Sequence, residues 1–312
     1  MLVHKLLIDL APPFVTAKGW SIIDGKTGEI MFGKCENDRR EIASLTKIMT
    51  GFVIVQIIRK IKLNSKKTML QVSKNAATIG GTSAKLKHGD ILSVWDLLHG
   101  LMLPSGNDAA MCLAEHFGQY LYEVASRYKA KTEEARQTNH PIKYFVQEMN
   151  RYARALNLEN TNYANPHGLS HANNKSTAYD IGRLAAIAMQ DSLIREIVQK
   201  QNYTCEGRDI FENEKQFHWA NTNKLLSKGF NGLKTGVTPA AGPCLSASFE
   251  KGNLHLIVVV LQCKTMDNRW IEVPKLTLWA INRLNKLSEF FMSDEGKKMI
   301  AQQEESKKKA AS

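Results

Sequence analysis

The sequence predicts an α/β fold of the α+β kind: one antiparallel sheet built from N- and C-terminal strands, packed with helices, plus an inserted all-helical region. Three observations predict it. Residues 20–24 and 29–32 near the start, and 244–249 and 254–261 near the end, are branched or alternating runs bounded by turn residues. Between them apolar residues recur at helical spacing. No repeat and no long linker separates the two ends, so the economical packing closes them into one sheet.

In chain order, residues 1–17 form an N-terminal extension. Residues 1–13 are mildly apolar but make a poor signal peptide, because the apolar run is short and broken by Asp9. No run approaches membrane-spanning length. The expectation is a soluble chain without export signal or membrane anchor, with the cytoplasm as one reading and the compartment left open. Residues 18–290 read as a single domain, with an α/β part over 18–65 and 200–290 and a helical part over 66–199. Gly25-Lys26-Thr27-Gly28 joins the first two strands as a hairpin. A helix over 44–61 is apolar on nearly every side and is expected at the domain centre. Residues 68–72 suit a short strand, and Gly80-Gly81 and Gly89-Asp90 are breaks. Residues 93–103 have helical spacing, with Ser93 as N-cap and Asp96 three residues on. Pro104-Ser105-Gly106-Asn107 stops that helix, and another follows over 108–124.

Residues 126–141 are polar and read as an exposed insertion. Helices are expected over 142–156 and over 177–189, the latter capped by Ser176 or Thr177, with Asn165-Pro166-His167-Gly168 as a turn between. After about 200 the period changes. Gly232-Leu233-Lys234-Thr235-Gly236 leads to the hairpin 244–261, turned at Glu250-Lys251-Gly252-Asn253, and a helix over 273–291 follows. Residues 291–312 are a charged tail.

The chain has 312 residues, 43% apolar and 23% charged, which suits a soluble globular protein with a sizeable core. Net charge is +12, but no basic motif interleaved with aromatics stands out, which argues against nucleic acid. Five cysteines, an odd number without a Cys-x-x-Cys pair, argue against a disulfide framework or a thiolate zinc site. His-Glu-x-x-His is absent, so no metal and no cofactor is expected.

Three short motifs carry the chemistry. Ser44 and Lys47 are three apart at the mouth of the central helix, so both lie on one face, a hydroxyl beside an amine. Ser105-Gly106-Asn107 follows, then Lys234-Thr235-Gly236. Each has a bland reading: a chance pair with Ser as N-cap, an interhelical turn, a strand end. In this order the trio resembles penicillin-binding proteins, and the Ser-Gly-Asn form is most similar to their D-alanyl-D-alanine carboxypeptidase branch. Arg40 to Thr50, Val72-Ser73-Lys74-Asn75-Ala76-Ala77, Asn165-Pro166-His167-Gly168-Leu169 and Ser176-Thr177-Ala178-Tyr179-Asp180 extend the resemblance over about residues 18–285.

The resemblance implies a β-lactamase/transpeptidase-like fold and a serine-type carboxypeptidase. Its partners would be a peptide ending in D-Ala-D-Ala, with β-lactams as covalent inhibitors. Ser44 would attack, and Lys47 would take its proton once burial and Lys234 had made it neutral. Ser105 would relay the proton to the leaving amine, and Asn107 would hold the substrate amide and Lys47. An oxyanion hole would form from the backbone N–H groups of Ser44 and Val237. Lys234 and Thr235 would meet the substrate carboxylate, and Gly236 would let an extended peptide lie on the strand edge. Arg269 matches the family position for a carboxylate-binding arginine, and His167 is expected to stabilise its turn.

A deacylating glutamate finds no convincing match, Glu159-Asn160 being a poor one, which argues against efficient lactam hydrolysis. The 126–141 insertion and Asn173-Asn174-Lys175 depart from the family pattern. Neither a β-rich C-terminal domain, nor an amphipathic anchor, nor a secretion signal is expected, although the family's usual substrate lies outside the cytoplasm. The alternatives are a β-lactamase or esterase-like hydrolase, and a non-catalytic peptide-binding relative on the same fold.

Overall fold

A computed structural model describes residues 11–129, 140–294, 296–298 and 302. Most of the polar insertion and of the charged tail, and the start of the N-terminal extension, lie outside the described residues.

The main sheet has five antiparallel strands: β1 (Gly19–Asp24), β2 (Ile30–Lys34), β3 (Gly232–Gly236), β4 (Cys244–Lys251) and β5 (Leu254–Leu261). Their spatial order is β2-β1-β5-β4-β3. The two ends of the chain meet where β1 pairs with β5, Ile22 opposite Val258. Branched side chains explain the centre, because Val258, Val259 and Val260 are fully buried. β3 is an edge strand, paired with β4 on one side only.

The longer helices among the described residues are α1 (Thr46–Ile61), α2 (Val94–Met102), α3 (Asn107–Lys129), α4 (Pro141–Ala155), α5 (Ala178–Gln190) and α6 (Asn268–Met292). α1 buries Thr46 to Val55 without a break, as its all-round apolar composition requires. It does not begin at Ser44, which sits in the preceding 3₁₀ turn Ala43–Leu45. Ser93 caps α2 by accepting from the Asp96 N–H at 3.1 Å, and Thr177 caps α5 by accepting from the Asp180 N–H at 3.0 Å. α5 lies close on β1: the Ser21 hydroxyl donates to the Ala178 carbonyl at 2.7 Å, and a Cβ on Gly182 would come within 2.4 Å of Ile23.

A second, four-stranded antiparallel sheet is a departure from the expected layout. It takes the short strands Met69–Gln71 and Ile91–Ser93 and the hairpin Asn202–Arg208 with Glu214–Ala220. Residues 202–220 therefore do not join the main sheet. The short helices Lys74–Thr78 and Ser192–Val198 also lacked a clear periodic signal.

One compact unit covers Thr16–Val273. Within it the buried Glu272 carboxylate accepts from the Thr16 and Ala17 N–H groups, at 2.7 and 3.1 Å. In a second unit, Lys275 donates to the Phe14 carbonyl at 3.0 Å. Among the described residues no helix is long and apolar enough to cross a membrane.

Candidate active site

Lys47 is the second residue of α1 and has no exposed surface. Its Nζ is 2.9 Å from Ser44 Oγ, 2.7 Å from Asn107 Oδ1 and 2.6 Å from the His167 carbonyl oxygen. The Asn107 amide is oriented by its other end, because Nδ2 donates to the Gly80 carbonyl at 2.7 Å. Two of the three neighbours of Nζ can therefore only accept. A neutral amine has two N–H donors and one lone pair. With both donors spent on Asn107 and His167, the lone pair is left for the Ser44 hydroxyl proton.

Electrostatics favour that neutral form. Burial pushes the Lys47 amine well below its ordinary value, the Lys234 cation lowers it further, and the Asp108 carboxylate opposes them. Lys234, on β3, is itself buried and falls to about 7, from desolvation first and the Arg269 cation second. Its Nζ donates to the Thr235 carbonyl at 3.1 Å. His167 is held down to about 3 by burial and then by Lys47. Its Nδ1 accepts from the Leu169 N–H at 3.1 Å, so the imidazole is neutral and serves the turn.

Gly236 brings the edge strand onto the nucleophile. A Cβ there would stand 3.0 Å from both the Ser44 nitrogen and the Ile42 carbonyl oxygen. Val237 follows directly and is 45% exposed, so the two expected oxyanion donors lie on touching segments. Thr235 Oγ1 is 2.8 Å from Thr222 Oγ1, which ties β3 to the segment after the second sheet. Arg269, at the start of α6, is buried, and its Nη1 donates to the Gly236 and Cys244 carbonyls at 3.1 and 3.3 Å.

Ser105 takes a left-handed backbone, φ 66°, and its buried Oγ has no hydrogen-bond partner among the described residues. A strained residue with an unpaired hydroxyl signals function rather than stability.

Thus Ser44, Lys47 and Asn107 share direct hydrogen bonds, while Lys234, Thr235, Gly236 and Arg269 form one strand end and its support. Sequence reasoning missed the His167 carbonyl and Thr222. Neither has a side-chain signature: one is a backbone oxygen, the other an ordinary threonine.

Comparison with known proteins shows the family and the fold. The family model for D-alanyl-D-alanine carboxypeptidase, peptidase S11, matches residues 8–134 and 120–265. This chain belongs to that family. It is 34% identical to D-alanyl-D-alanine carboxypeptidase DacF of Bacillus subtilis over 86% of its length and 62% of the relative's. It therefore spans somewhat under two thirds of that protein. With the D-alanyl-D-alanine carboxypeptidase of Streptomyces sp. strain K15 it shares 31% identity, covering 85% of this chain and 87% of the other. The crystal structure of the Streptomyces K15 DD-transpeptidase superposes with a TM-score of 0.76 at 30% identity, over 87% of this chain and 99% of that one. The fold is accordingly of this DD-peptidase type, as the three motifs implied.

Proposed function

We propose that this chain is a serine-type D-Ala-D-Ala carboxypeptidase, which removes the terminal D-Ala from a peptidoglycan-like peptide through an acyl-enzyme on Ser44. The observation that carries the reading is the Lys47 amine. It is buried beside Lys234, has both donors occupied, and lies 2.9 Å from Ser44 Oγ.

The peptide lies along the free edge of β3, where Gly236 leaves room. Ser44 Oγ attacks the carbonyl between the two D-Ala residues as Lys47 takes the hydroxyl proton. The oxygen, now negative, receives the N–H groups of Ser44 and Val237. Ser105 passes the proton from Lys47 to the leaving amine, and D-Ala departs. Asn107 holds the acyl-side amide. Lys234, Thr235 and Arg269 face the terminal carboxylate. Water then attacks the ester, with Lys47 again as base, and the shortened peptide leaves. A β-lactam opens on Ser44 in the same way and stays bound as an acyl adduct.

A second reading, transfer of the acyl group to an amine instead of water, draws on the solved relative named a transpeptidase.

Fluorescent penicillin followed by peptide mass mapping tests the nucleophile. The adduct is expected on the peptide holding Ser44 and absent in Ser44→Ala. No adduct on the wild type, or equal labelling of the variant, overturns the assignment. Release of D-Ala from a diacyl-D-Ala-D-Ala peptide, with and without an added amine, separates hydrolysis, transfer and mere binding.

A further inference from the structure

The groups so far placed around Ser44 include three basic side chains, Lys47, Lys234 and Arg269. A buried carboxylate, Asp108, stands next to Asn107 at the start of α3. Its Oδ1 accepts from the Ala84 and Ala109 N–H groups at 2.9 and 2.8 Å. Its Oδ2 accepts from the Ser83 hydroxyl at 2.5 Å and the Leu86 N–H at 3.1 Å. Every partner is a donor, the pattern of an ionised carboxylate.

The loop that Asp108 gathers is the one that holds the Ser-Gly-Asn turn. Thr82 Oγ1 donates to the Ser105 carbonyl at 2.6 Å, and the Asn107 N–H donates to the Thr82 carbonyl at 2.8 Å. The Gly80 carbonyl takes the Asn107 side-chain amide. Gly81, at φ +86°, leaves space for that amide, since a Cβ there would lie 2.6 Å from Asn107 Nδ2. Gly106 has a matching reason: a Cβ would lie 2.5 Å from Asp108 Oδ1. It would also lie 2.8 Å from Ala84 Cβ and from the Gly100 carbonyl oxygen, so the middle residue of the motif is glycine where the Asp108 carboxylate, Ala84 and the end of α2 crowd together.

We propose that Asp108 is a positioning residue of this site: its carboxylate clasps the 80–86 loop that fixes Asn107 and Ser105, and it sets a negative charge one residue from Asn107, whose Oδ1 lies 2.7 Å from Lys47 Nζ. The inference rests on the reading of Lys47 as the base for Ser44. The charged and titratable groups facing Lys47 are Lys234 from β3, with Arg269 behind it, neutral His167 from the 165–169 turn, and Asp108 from α3. Among them Asp108 supplies the negative charge. It opposes the loss of the Lys47 proton that the cations promote.

The test compares wild type, Asp108→Asn and Ser83→Ala in the full chain. Acylation of Ser44 by fluorescent penicillin is followed against pH, and the Lys47 amine is titrated by NMR with labelled lysine. Asp108→Asn is expected to lower the plateau acylation rate about tenfold or more, as the loop loosens. It is also expected to move the acid limb and the Lys47 midpoint to lower pH, a shift that a structural role alone would not produce. Ser83→Ala is expected to slow acylation several-fold with the limb in place, because the charge remains.

A folded Asp108→Asn protein with an unmoved limb and midpoint overturns the proposal. If that variant does not fold, Ser83→Ala decides, and a wild-type rate overturns the clasp. If the wild type itself is not acylated, the functional reading fails. The NMR midpoints then judge Asp108 separately.

Discussion

Gly236 faces Ser44 so closely that a single added methyl would stand 3.0 Å from the Ser44 backbone nitrogen. The second close contact, the Ile42 carbonyl, is also backbone, so neither neighbour can swing aside. Gly236→Ala must push β3 away from the Ser44 turn by a few tenths of an ångström. Displacements of about 1 Å in a reacting constellation cost up to ~100-fold. The variant is therefore expected to fold, as judged by an unchanged circular dichroism spectrum, and to lose at least about tenfold in penicillin acylation rate. A wild-type rate would show that the strand edge and the nucleophile are not geometrically coupled.

Lys234 has two separable effects. Its cation lowers the proton affinity of Lys47, so Lys234→Met should raise it and move the acid limb of acylation to higher pH. The shift is opposite in sign to that expected for Asp108→Asn. The second effect is on stability. In the fold Lys234 titrates at about 7, against 10.5 for the unfolded group. The unfolded chain therefore holds the proton more tightly. The cost to folding is complete below pH 7, shrinks as pH rises above it, and is gone near 10.5. Lys234→Met is expected to be more stable than wild type by a few kcal/mol at neutral pH, with the difference narrowing on the alkaline side. Thermal unfolding of both proteins against pH checks it.

His167 resembles a catalytic histidine by location, but its titration near 3 leaves it neutral at any ordinary working pH. A base whose folded value is depressed from 6.5 destabilises the fold only where the unfolded form is protonated. The cost grows as pH falls from 6.5 to about 3 and is complete below that. His167→Asn is accordingly expected to keep the pH profile of acylation above neutrality, since the carbonyl that meets Lys47 is main chain. At pH 5 the wild type loses about 2 kcal/mol from this group and the variant does not, apart from its altered packing. Denaturant unfolding at neutral and acid pH measures the difference. An altered profile above neutrality would assign the imidazole a proton-transfer role.

The main sheet was legible because its strands are bounded by turn residues and its centre is the run Val258 to Val260, which no exposed element tolerates. α1 was legible for the same reason. The second sheet was not. Its hairpin strands bury only alternate residues over part of their length, Cys205 and Gly207 on one and Phe217 and Trp219 on the other, and its other strands are three residues each. Such segments get their stability from pairing, which periodicity does not report. In the site, side chains with distinctive chemistry were found and main-chain groups were not. Ser44, Lys47 and Asn107 could be named from three motifs. The His167 carbonyl depends on how the 165–169 turn lies against α1, where Thr50 Oγ1 donates to the Pro166 carbonyl at 2.6 Å and a Cβ on Gly168 would strike Ala43.

The carboxylate contact proposed for Arg269 can be tested apart from acylation. Arg269 Nη1 bridges the Gly236 and Cys244 carbonyls, its buried Nε has no partner, and its guanidinium carbon stands 4.6 Å from the Trp270 ring centroid. The planar fork thus steadies the end of β3, and in the proposed reading its remaining donors meet the substrate carboxylate. A lysine ammonium is a point charge and cannot span two carbonyls and a carboxylate with the same geometry. Arg269→Lys is therefore expected to lower kcat/KM for a free-acid peptide by about tenfold or more, and to lower that for its C-terminal amide much less. The quantity to measure is the acid-to-amide ratio of kcat/KM in both proteins. A shift in absolute rates alone follows from a loosened strand. A fall in the ratio requires that the guanidinium meet the carboxylate, and an unchanged ratio would assign Arg269 to holding β3 alone.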